Sequence, residues 1–139
     1  IKTHPYEPKK NSRGRAITYE FMQQEYSGNS RVKIVNDFNL ASLIKASSYV
    51  ATLNSQSGIE AALAAKPVLT FGGAFYSGAG FTFDFANINS ALQMLREQGI
   101  PKVSNEHNER LMEFLALSFE SLINNELNEK DKAARAAGL

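Results

Sequence analysis

The chain has 139 residues, a formal net charge of +1, no cysteine and two histidines. A chain of this length corresponds to a single domain that can bury a proper hydrophobic core. The near-neutral charge argues against a nucleic-acid-binding domain, while the missing cysteines exclude disulfides, zinc–thiolate sites and cysteine nucleophiles, and two histidines are too few for a histidine-rich metal site.

The first third of the chain predicts two strands with one helix between them. Residues 1–3 are typical of the end of a strand, which the following His-Pro pair stops because proline disfavours helix in the residue before it. Residues 7–15 form a polar loop with four cationic side chains, which suits a solvated surface or a cationic rim for a phosphorylated ligand. An amphipathic helix is predicted over 16–26 and a strand over 31–35.

The middle of the chain contains the clearest pattern, a β-α-β unit over residues 48–71. Residues 49–53 and 68–71 are apolar runs with β-branched members, typical of buried parallel strands, and 59–65 continue at helical spacing. A turn of small polar residues, 54–58, follows the first strand. Because ligands bind in open α/β sheets at the carboxyl ends of the strands, this turn is the first candidate for a binding site.

The last part of the chain predicts helices after a glycine-rich loop. Residues 72–85 are aromatic and glycine-rich, but they lack the Lys-Ser/Thr ending of a P-loop and the GxGxxG spacing of dinucleotide-binding folds. His107, near the start of the longest predicted helix, is expected at the surface. The predicted helices outside the β-α-β unit cover 40–46 (with Asn39 as N-cap), 90–98, 105–124 and, as a short charged tail, 128–137.

Strands and helices alternate along the chain, which predicts an α/β fold with a Rossmann-like parallel sheet and helices on both faces. We therefore expect one domain over residues 1–139, with a helical carboxyl-terminal extension from about 105 to 139. The absence of cysteine fits a cytoplasmic location. No apolar run approaches the ~20 residues of a transmembrane helix, so a membrane-spanning segment is not expected.

Two roles compete for the side chains of the 54–58 turn. Ser57 and Glu60 have the spacing of a capping box, with Ser57 as the helix N-cap and Glu60 three residues later. The same turn could instead bind a ligand, with the hydroxyls of Ser55 and Ser57 on a phosphate and Glu60 on ribose hydroxyls. His4 ends the first predicted strand and should lie at the same sheet edge, where an imidazole can contact phosphate.

Several of these motifs occur together in an order that resembles one known family. They are Lys2-Thr3-His4-Pro5-Tyr6, Asn54-Ser55-Gln56-Ser57-Gly58-Ile59-Glu60-Ala61, Lys66-Pro67-Val68, Gly72 to Tyr76 and Gly80-Phe81-Thr82. Over roughly residues 1–85 the chain resembles the bacterial capsule polysaccharide biosynthesis and export family, which includes Kdo transferases. The resemblance implies the carboxyl-terminal, donor-binding half of a GT-B glycosyltransferase. Its substrate would be a sugar nucleotide, with a CMP-linked donor favoured, and it would need neither a cofactor nor a metal.

The resemblance also implies roles for individual residues. Gly73 stands where a basic residue is expected in many relatives, which leaves the identity of the donor sugar open. The implied nucleotide- and phosphate-binding residues are His4, Pro5, Asn54, Ser55, Ser57, Gly58 and Glu60, with Glu60 near the ribose. The implied donor-sugar loop comprises Gly72, Gly73, Tyr76, Gly80 and Thr82.

The chain begins at Ile1 without an initiator methionine, so we expect a piece of a longer protein. Its partner would be the missing amino-terminal domain, which would carry the catalytic acid or base and leave this piece inactive alone. Peripheral association with the inner face of the membrane is compatible with such a role. Two alternatives stay open: a non-catalytic domain that docks on a partner through the 105–124 helix, and a polyol-phosphate transferase of the teichoic-acid type.

Overall fold

The computed structural model of the chain describes residues 1–4, 6–10 and 14–136. It divides into two compact units, Ile1–Leu43 and Ile44–Leu139, and the division falls within the third helix. In chain order the elements are α1 (Glu7–Lys10), α2 (Ile17–Glu25), α3 (Leu40–Ala46), β1 (Val50–Thr52), α4 (Ser57–Leu63), β2 (Val68–Thr70), β3 (Phe83–Asp84), α5 (Ile88–Gln98) and α6 (Asn105–Ala136).

The first unit contains two extended segments that meet at a single parallel bridge between Lys2 and Val35. The Thr3 N–H donates to the Val35 carbonyl over 2.9 Å, and the Val35 N–H donates to the Ile1 carbonyl over 2.9 Å. The strands predicted over 1–3 and 31–35 are therefore parallel neighbours, but neither forms a full strand. In the second segment only the side chain of Ile34 is buried, so few core contacts support a longer ladder.

A short helix replaces part of the polar loop that was predicted over 7–15. In α1, Glu7 Oε1 accepts hydrogen bonds from the Thr18 N–H over 2.8 Å and from the Thr18 hydroxyl over 2.6 Å, near the start of α2. The bond from the Thr18 hydroxyl, helped by the Thr18 N–H, lowers the pKa of the Glu7 carboxyl. Glu7 thus satisfies one of the N–H groups that a helix start leaves unpaired. Residues 11–13 of the predicted cationic rim, with Arg13, lie outside the described residues.

The second unit is built on a parallel sheet of three strands in the order β1-β2-β3. Val50 aligns with Val68 in the first pair, and Leu69 aligns with Phe83 in the second. The central strand β2 is buried along its whole length, which explains its continuous apolar and β-branched run. Helix α4 connects β1 to β2 and packs on both. The predicted β-α-β unit is therefore confirmed.

Strand β3 corrects one expectation, because Phe83 and Asp84 lie in the segment that was predicted as loop. Two residues are too few to show a period of two in the sequence. Their extended conformation comes from pairing with β2, in which the Phe85 N–H donates to the Thr70 carbonyl over 2.9 Å. The link from β2 to β3 contains no helix, unlike most crossovers between parallel strands.

Two predicted helix ends are confirmed, and one predicted break is wrong. The Ser42 N–H donates to Asn39 Oδ1 over 2.9 Å at the start of α3, and α5 ends at Gly99, whose φ is +78°. The two helices predicted over 105–124 and 128–137 form one helix, α6, with 32 residues. No glycine or proline separates them, so nothing in the backbone stops the helix there.

The start of α6 also corrects the expectation for His107. Its ring stacks on Phe83 with ring centroids 4.9 Å apart, and its Nδ1 lies 2.7 Å from the Ser104 hydroxyl oxygen. The His107 N–H in turn donates to that oxygen over 3.4 Å, so Ser104 and His107 cap the helix reciprocally. His107 is therefore half-buried and structural rather than a surface residue.

The architecture agrees with the sequence at the level of fold class. The protein is α/β with a parallel sheet and helices, consistent with a Rossmann-like fold. Membership of a GT-B half, helices on both faces of the sheet and a single domain over 1–139 stay predictions.

Candidate functional site

Two connections leave the sheet at the carboxyl ends of β1 and β2. We call residues 53–57 the serine turn and residues 71–82 the glycine segment. Both follow parallel strands that are direct neighbours, so they lie at the same edge of the sheet. In open parallel sheets this edge is where ligands bind. The two connections come close to each other, because a Cβ at Gly72 would lie 2.9 Å from the carbonyl oxygen of Leu53.

The serine turn is held by its own side chains. The Ser55 N–H donates to Thr52 Oγ1 over 3.2 Å. The Ser55 hydroxyl oxygen accepts from the Ser57 N–H over 3.2 Å and from the Ser57 hydroxyl over 2.9 Å. A hydroxyl has two acceptor lone pairs and one proton, so these two bonds leave Ser55 with its O–H as a donor. Ser55 is exposed, and this donor can therefore meet a ligand.

The capping box predicted for Ser57 and Glu60 does not form. The N-cap of α4 is Gln56, which makes no side-chain capping bond, and Ser57 is the first helical residue. The Ser57 hydroxyl is turned toward Ser55 instead, and the Glu60 N–H donates to the Gln56 carbonyl over 3.3 Å. Glu60 is exposed, so the cap does not compete with a ligand for its carboxylate. Asn54 is exposed as well.

Tyr76 lies beneath the serine turn rather than at the surface. Its side chain is 0% exposed, and its hydroxyl donates to the Ser55 carbonyl over 2.6 Å. The Gly58 N–H donates to the same carbonyl over 3.1 Å. Burial raises the pKa of the Tyr76 hydroxyl, and the charge of Asp84 raises it further, so this hydroxyl keeps its proton and donates. Tyr76 was predicted to belong to the donor-sugar loop, but its side chain is inaccessible to a ligand.

Gly58 is required by the position of Tyr76. A Cβ built on Gly58 would lie 2.1 Å from the Tyr76 hydroxyl oxygen and 2.7 Å from the ring carbon that bears it. The glycine therefore lets the start of α4 approach the ring closely. Gly58 was predicted to belong to a phosphate-binding loop, and packing against Tyr76 is a second reason for a glycine at this position.

Asp84 holds the glycine segment, and the sequence reasoning missed it. Its Oδ2 accepts from the Gly78 N–H over 2.7 Å, while its Oδ1 accepts from the hydroxyls of Thr82, over 2.7 Å, and Thr70. Partial burial raises the pKa of the Asp84 carboxyl, but the hydrogen bonds from Thr70, Gly78, Thr82 and Ser77 outweigh it and hold that pKa below its ordinary value. An isolated acid between two phenylalanines in a glycine-rich stretch is the sequence signal that could have found it.

The remaining residues of the predicted donor-sugar loop differ in exposure. Gly72 and Gly73 are exposed, and Gly73 has a φ of +63° with no atom near the position of a Cβ. Gly80 has a φ of +88° and lies against the side chain of Arg110. Thr82 is buried and donates to Asp84, so its hydroxyl is already used within the segment.

His4 is exposed at the end of the extended segment that contains Lys2. Its Nδ1 accepts from the Tyr6 N–H over 3.1 Å, so the proton of the neutral ring lies on Nε2. That nitrogen can donate to a ligand. His4 belongs to Ile1–Leu43 and the serine turn to Ile44–Leu139, and a pocket shared by them stays a prediction. Pro5 lies outside the described residues.

Two features are absent from the described residues. Within 1–4, 6–10 and 14–136, no three histidine, aspartate or glutamate side chains are grouped closely enough to hold a metal ion. Over the same part of the chain, no helix combines the length and the apolar character needed to cross a bilayer.

The comparison with protein families decides where the chain belongs. The model of the family described as capsule polysaccharide biosynthesis protein matches residues 1–116. The chain belongs to this family. The match includes His4, the serine turn, the glycine segment and the start of α6, and so extends beyond the roughly 85 residues that carried the resemblance. A search of curated proteins and a search of solved structures each found no significant match. Family membership supports a role in capsule synthesis.

Proposed function

We propose that this chain is the sugar-nucleotide-binding part of a glycosyltransferase of capsule polysaccharide synthesis, with a CMP-linked sugar as donor substrate. The observation that carries the proposal is the Ser55 hydroxyl. Both of its lone pairs are occupied by Ser57, so it is left as an exposed hydrogen-bond donor at the carboxyl edge of a parallel sheet. Membership of the capsule polysaccharide biosynthesis family supports capsule synthesis as the process in which the sugar nucleotide would be used.

In this proposal the serine turn binds the phosphate of the donor, and the exposed imidazole of His4 is a separate candidate for a phosphate contact. Ser55 donates its hydroxyl proton to a phosphate oxygen, and Ser57 orients Ser55 through the two hydrogen bonds between them. His4 donates through Nε2, because Nδ1 is occupied by the Tyr6 N–H. Negative charge grows on the phosphate of the departing nucleotide during glycosyl transfer, and donors that are already in place stabilise it.

Other residues are candidates for binding the ribose and the donor sugar. Glu60 is exposed one turn into α4, and its carboxylate can accept hydrogen bonds from ribose hydroxyls. Asn54, exposed in the same turn, has both a donor and an acceptor to offer. The exposed backbone at Gly72 and Gly73 would face the donor sugar. The catalytic acid or base would come from the amino-terminal half of a GT-B enzyme, of which this chain would be the carboxyl-terminal half.

Calorimetric titration of the chain with CMP, CDP and UDP tests the proposal. We expect CMP to bind, and Ser55→Ala to weaken its binding about tenfold, because loss of a hydrogen bond to a charged group costs about 1.5 kcal/mol or more. Ser48→Ala, an exposed serine in the same unit, is the matched control and should leave the affinity unchanged. Preference for CDP over CMP would favour the teichoic-acid type of transferase. Binding of none of the three would contradict the proposal.

The same titration separates the two predicted roles of Glu60. Glu60→Ala should weaken CMP binding while changing the free energy of unfolding by less than about 0.5 kcal/mol, because its side chain makes no helix cap. A cap residue would instead lose about 1 kcal/mol of stability. His4→Ala should weaken CMP binding in the same way. Unchanged affinity in both variants would limit the phosphate site to the serine turn.

A second candidate function, a non-catalytic partner-binding domain, is favoured by one observation on α6. Large apolar side chains along this helix are exposed by about 60%, among them Phe119, Leu122 and Ile123. Such a stripe is more often covered by another protein than left in water. If no nucleotide binds while Leu122→Ser changes the sedimentation coefficient of the protein, this candidate replaces the first.

A further inference from the structure

We propose that Tyr76 is a positioning residue for the phosphate-binding serine turn and that Asp84 holds Tyr76 in place. The inference rests on the proposed function, since it assigns the turn a phosphate to bind. It concerns two residues that do not reach the ligand themselves: Tyr76 is fully buried, and both carboxylate oxygens of Asp84 are engaged within the glycine segment and β2.

The first step is the bond between Tyr76 and the turn. The Tyr76 hydroxyl and the Gly58 N–H both donate to the carbonyl of Ser55, over 2.6 Å and 3.1 Å. Two donors on one carbonyl fix the orientation of the peptide that follows Ser55. That peptide group joins Ser55 to Gln56, so its orientation also restricts the direction of the Ser55 side chain. The turn residues themselves are mostly exposed and have little packing of their own.

The second step is the immobility of the Tyr76 ring. Phe81 stacks on it with ring centroids 5.9 Å apart, and Phe75 meets it edge-on at 5.1 Å. Gly58 leaves no free space on the side of the hydroxyl, as the clash with a built Cβ shows. A ring enclosed in this way cannot move independently, because close-packed interiors do not deform freely. The backbone of Tyr76 therefore fixes the position of its hydroxyl.

The third step connects that backbone to the sheet. Asp84 accepts from the Gly78 N–H two residues after Tyr76, and from the Thr70 hydroxyl on β2 and the Thr82 hydroxyl before β3. The Ser77 N–H also donates to the Ala74 carbonyl over 2.8 Å, which closes a turn around Tyr76. Hydrogen bonds from β2 and β3 therefore fix Gly78 through Asp84, and the backbone connects Gly78 over two residues to Tyr76, whose hydroxyl bonds the Ser55 carbonyl.

The test replaces Tyr76 by Phe, which keeps the ring and removes only the hydroxyl. Amide hydrogen exchange measured by NMR should become about fivefold faster at Ser57 and Gly58, because a net hydrogen bond of about 1 kcal/mol has been removed from the turn. Exchange at Leu69 and Thr70 in the buried strand β2 should not change. In calorimetry, the Kd for CMP should rise about five- to tenfold.

The control is Tyr49→Phe, which removes a hydroxyl from an exposed tyrosine directly before β1 and should change neither the exchange rates nor the CMP affinity. Asp84→Asn has only one side-chain oxygen that can accept the hydrogen bonds now shared between Oδ1 and Oδ2. It should shift exchange at Ser57 and Gly58 in the same direction as Tyr76→Phe. A merely structural role would accelerate exchange in β2 as much as in the turn.

The outcomes separate this inference from the proposed function. Unchanged exchange at Ser57 and Gly58 in Tyr76→Phe overturns the inference, whether or not CMP binds. Faster exchange with an unchanged CMP Kd overturns it as well, because the hydrogen bond from Tyr76 to the Ser55 carbonyl would then be irrelevant to binding. If the unmodified chain binds no CMP, the proposed function fails and takes the positioning role with it, while the exchange data still report whether Tyr76 holds the turn.

Discussion

The serine turn and the glycine segment have similar places in the sheet and differ in structure. Each follows a parallel strand, the serine turn with two serines and the glycine segment with four glycines, and both were predicted as ligand loops. In the serine turn the side chains are mostly exposed, and the hydrogen bonds run between neighbouring residues. In the glycine segment Ala74, Tyr76, Phe81 and Thr82 are buried, and the hydrogen bonds converge on Asp84.

The difference shows that one connection supports the other. Gly73, Gly78 and Gly80 all have positive φ values, which let the backbone of the segment bend while its aromatic side chains turn inward. The serine turn has little apolar side chain to bury, so its conformation depends on hydrogen bonds, including the one from Tyr76. The candidate binding turn therefore lies on a connection that has become part of the core.

The largest expected effect compares two neighbouring aromatic residues of the glycine segment. Tyr76→Ala should lower the free energy of unfolding by about 3–5 kcal/mol, because it opens a cavity under the serine turn and leaves the Ser55 carbonyl short of a donor. Phe75→Ala, at a ring that is 66% exposed, should cost roughly 1 kcal/mol or less. Urea denaturation measures both. Equal losses would mean that the segment is not divided into a buried and an exposed side as described.

A smaller effect is expected where the serine turn meets the glycine segment. Gly58→Ala should cost about 1–3 kcal/mol, because the new Cβ would overlap Tyr76 and force the ring or the start of α4 to move. Gly28→Ala is the control, since a Cβ there meets no atom within 4 Å, and it should be neutral or slightly stabilising. Thermal unfolding of the two variants gives the comparison. A stable Gly58→Ala protein with unchanged near-ultraviolet circular dichroism would argue against the close contact.

The smallest effect concerns the acid that organises the glycine segment. Asp84→Asn should lower the free energy of unfolding by about 1 kcal/mol at pH 7, because the amide nitrogen cannot accept one of the hydrogen bonds and the site is partly solvated. The pKa of Asp84 is lowered by folding, so its stabilisation is present above the ordinary carboxyl pKa and is lost as the pH falls through the lower pKa of the folded state.

The difference in unfolding free energy between the unmodified chain and Asp84→Asn should therefore shrink between about pH 5 and pH 2. Urea titrations at several pH values measure it. Asp37→Asn, which removes an exposed carboxylate from the other unit, controls for the change in net charge. A difference that stays constant over this range would show that the carboxylate of Asp84 does not stabilise the folded state.

The sequence by itself determined the features that depend on local pattern. The strands β1 and β2, the helix between them and the helix stop at Gly99 follow from apolar runs, helical spacing and glycine. Motif order over about 85 residues was enough to identify the family, which the match over residues 1–116 confirmed. These signals are carried by neighbouring residues and need no knowledge of what packs against them.

Only the tertiary structure decided the roles of the residues around the candidate site. Whether Tyr76 faces water or the core and whether Phe83 extends into a strand depend on partners distant in sequence. Asp84 shows this most clearly, because its hydrogen bonds with Thr70 and Gly78 are made by residues that the chain brings together only when β3 pairs with β2. Hydrogen bonds and burial of this kind are properties of the folded arrangement, and no short stretch of sequence contains them.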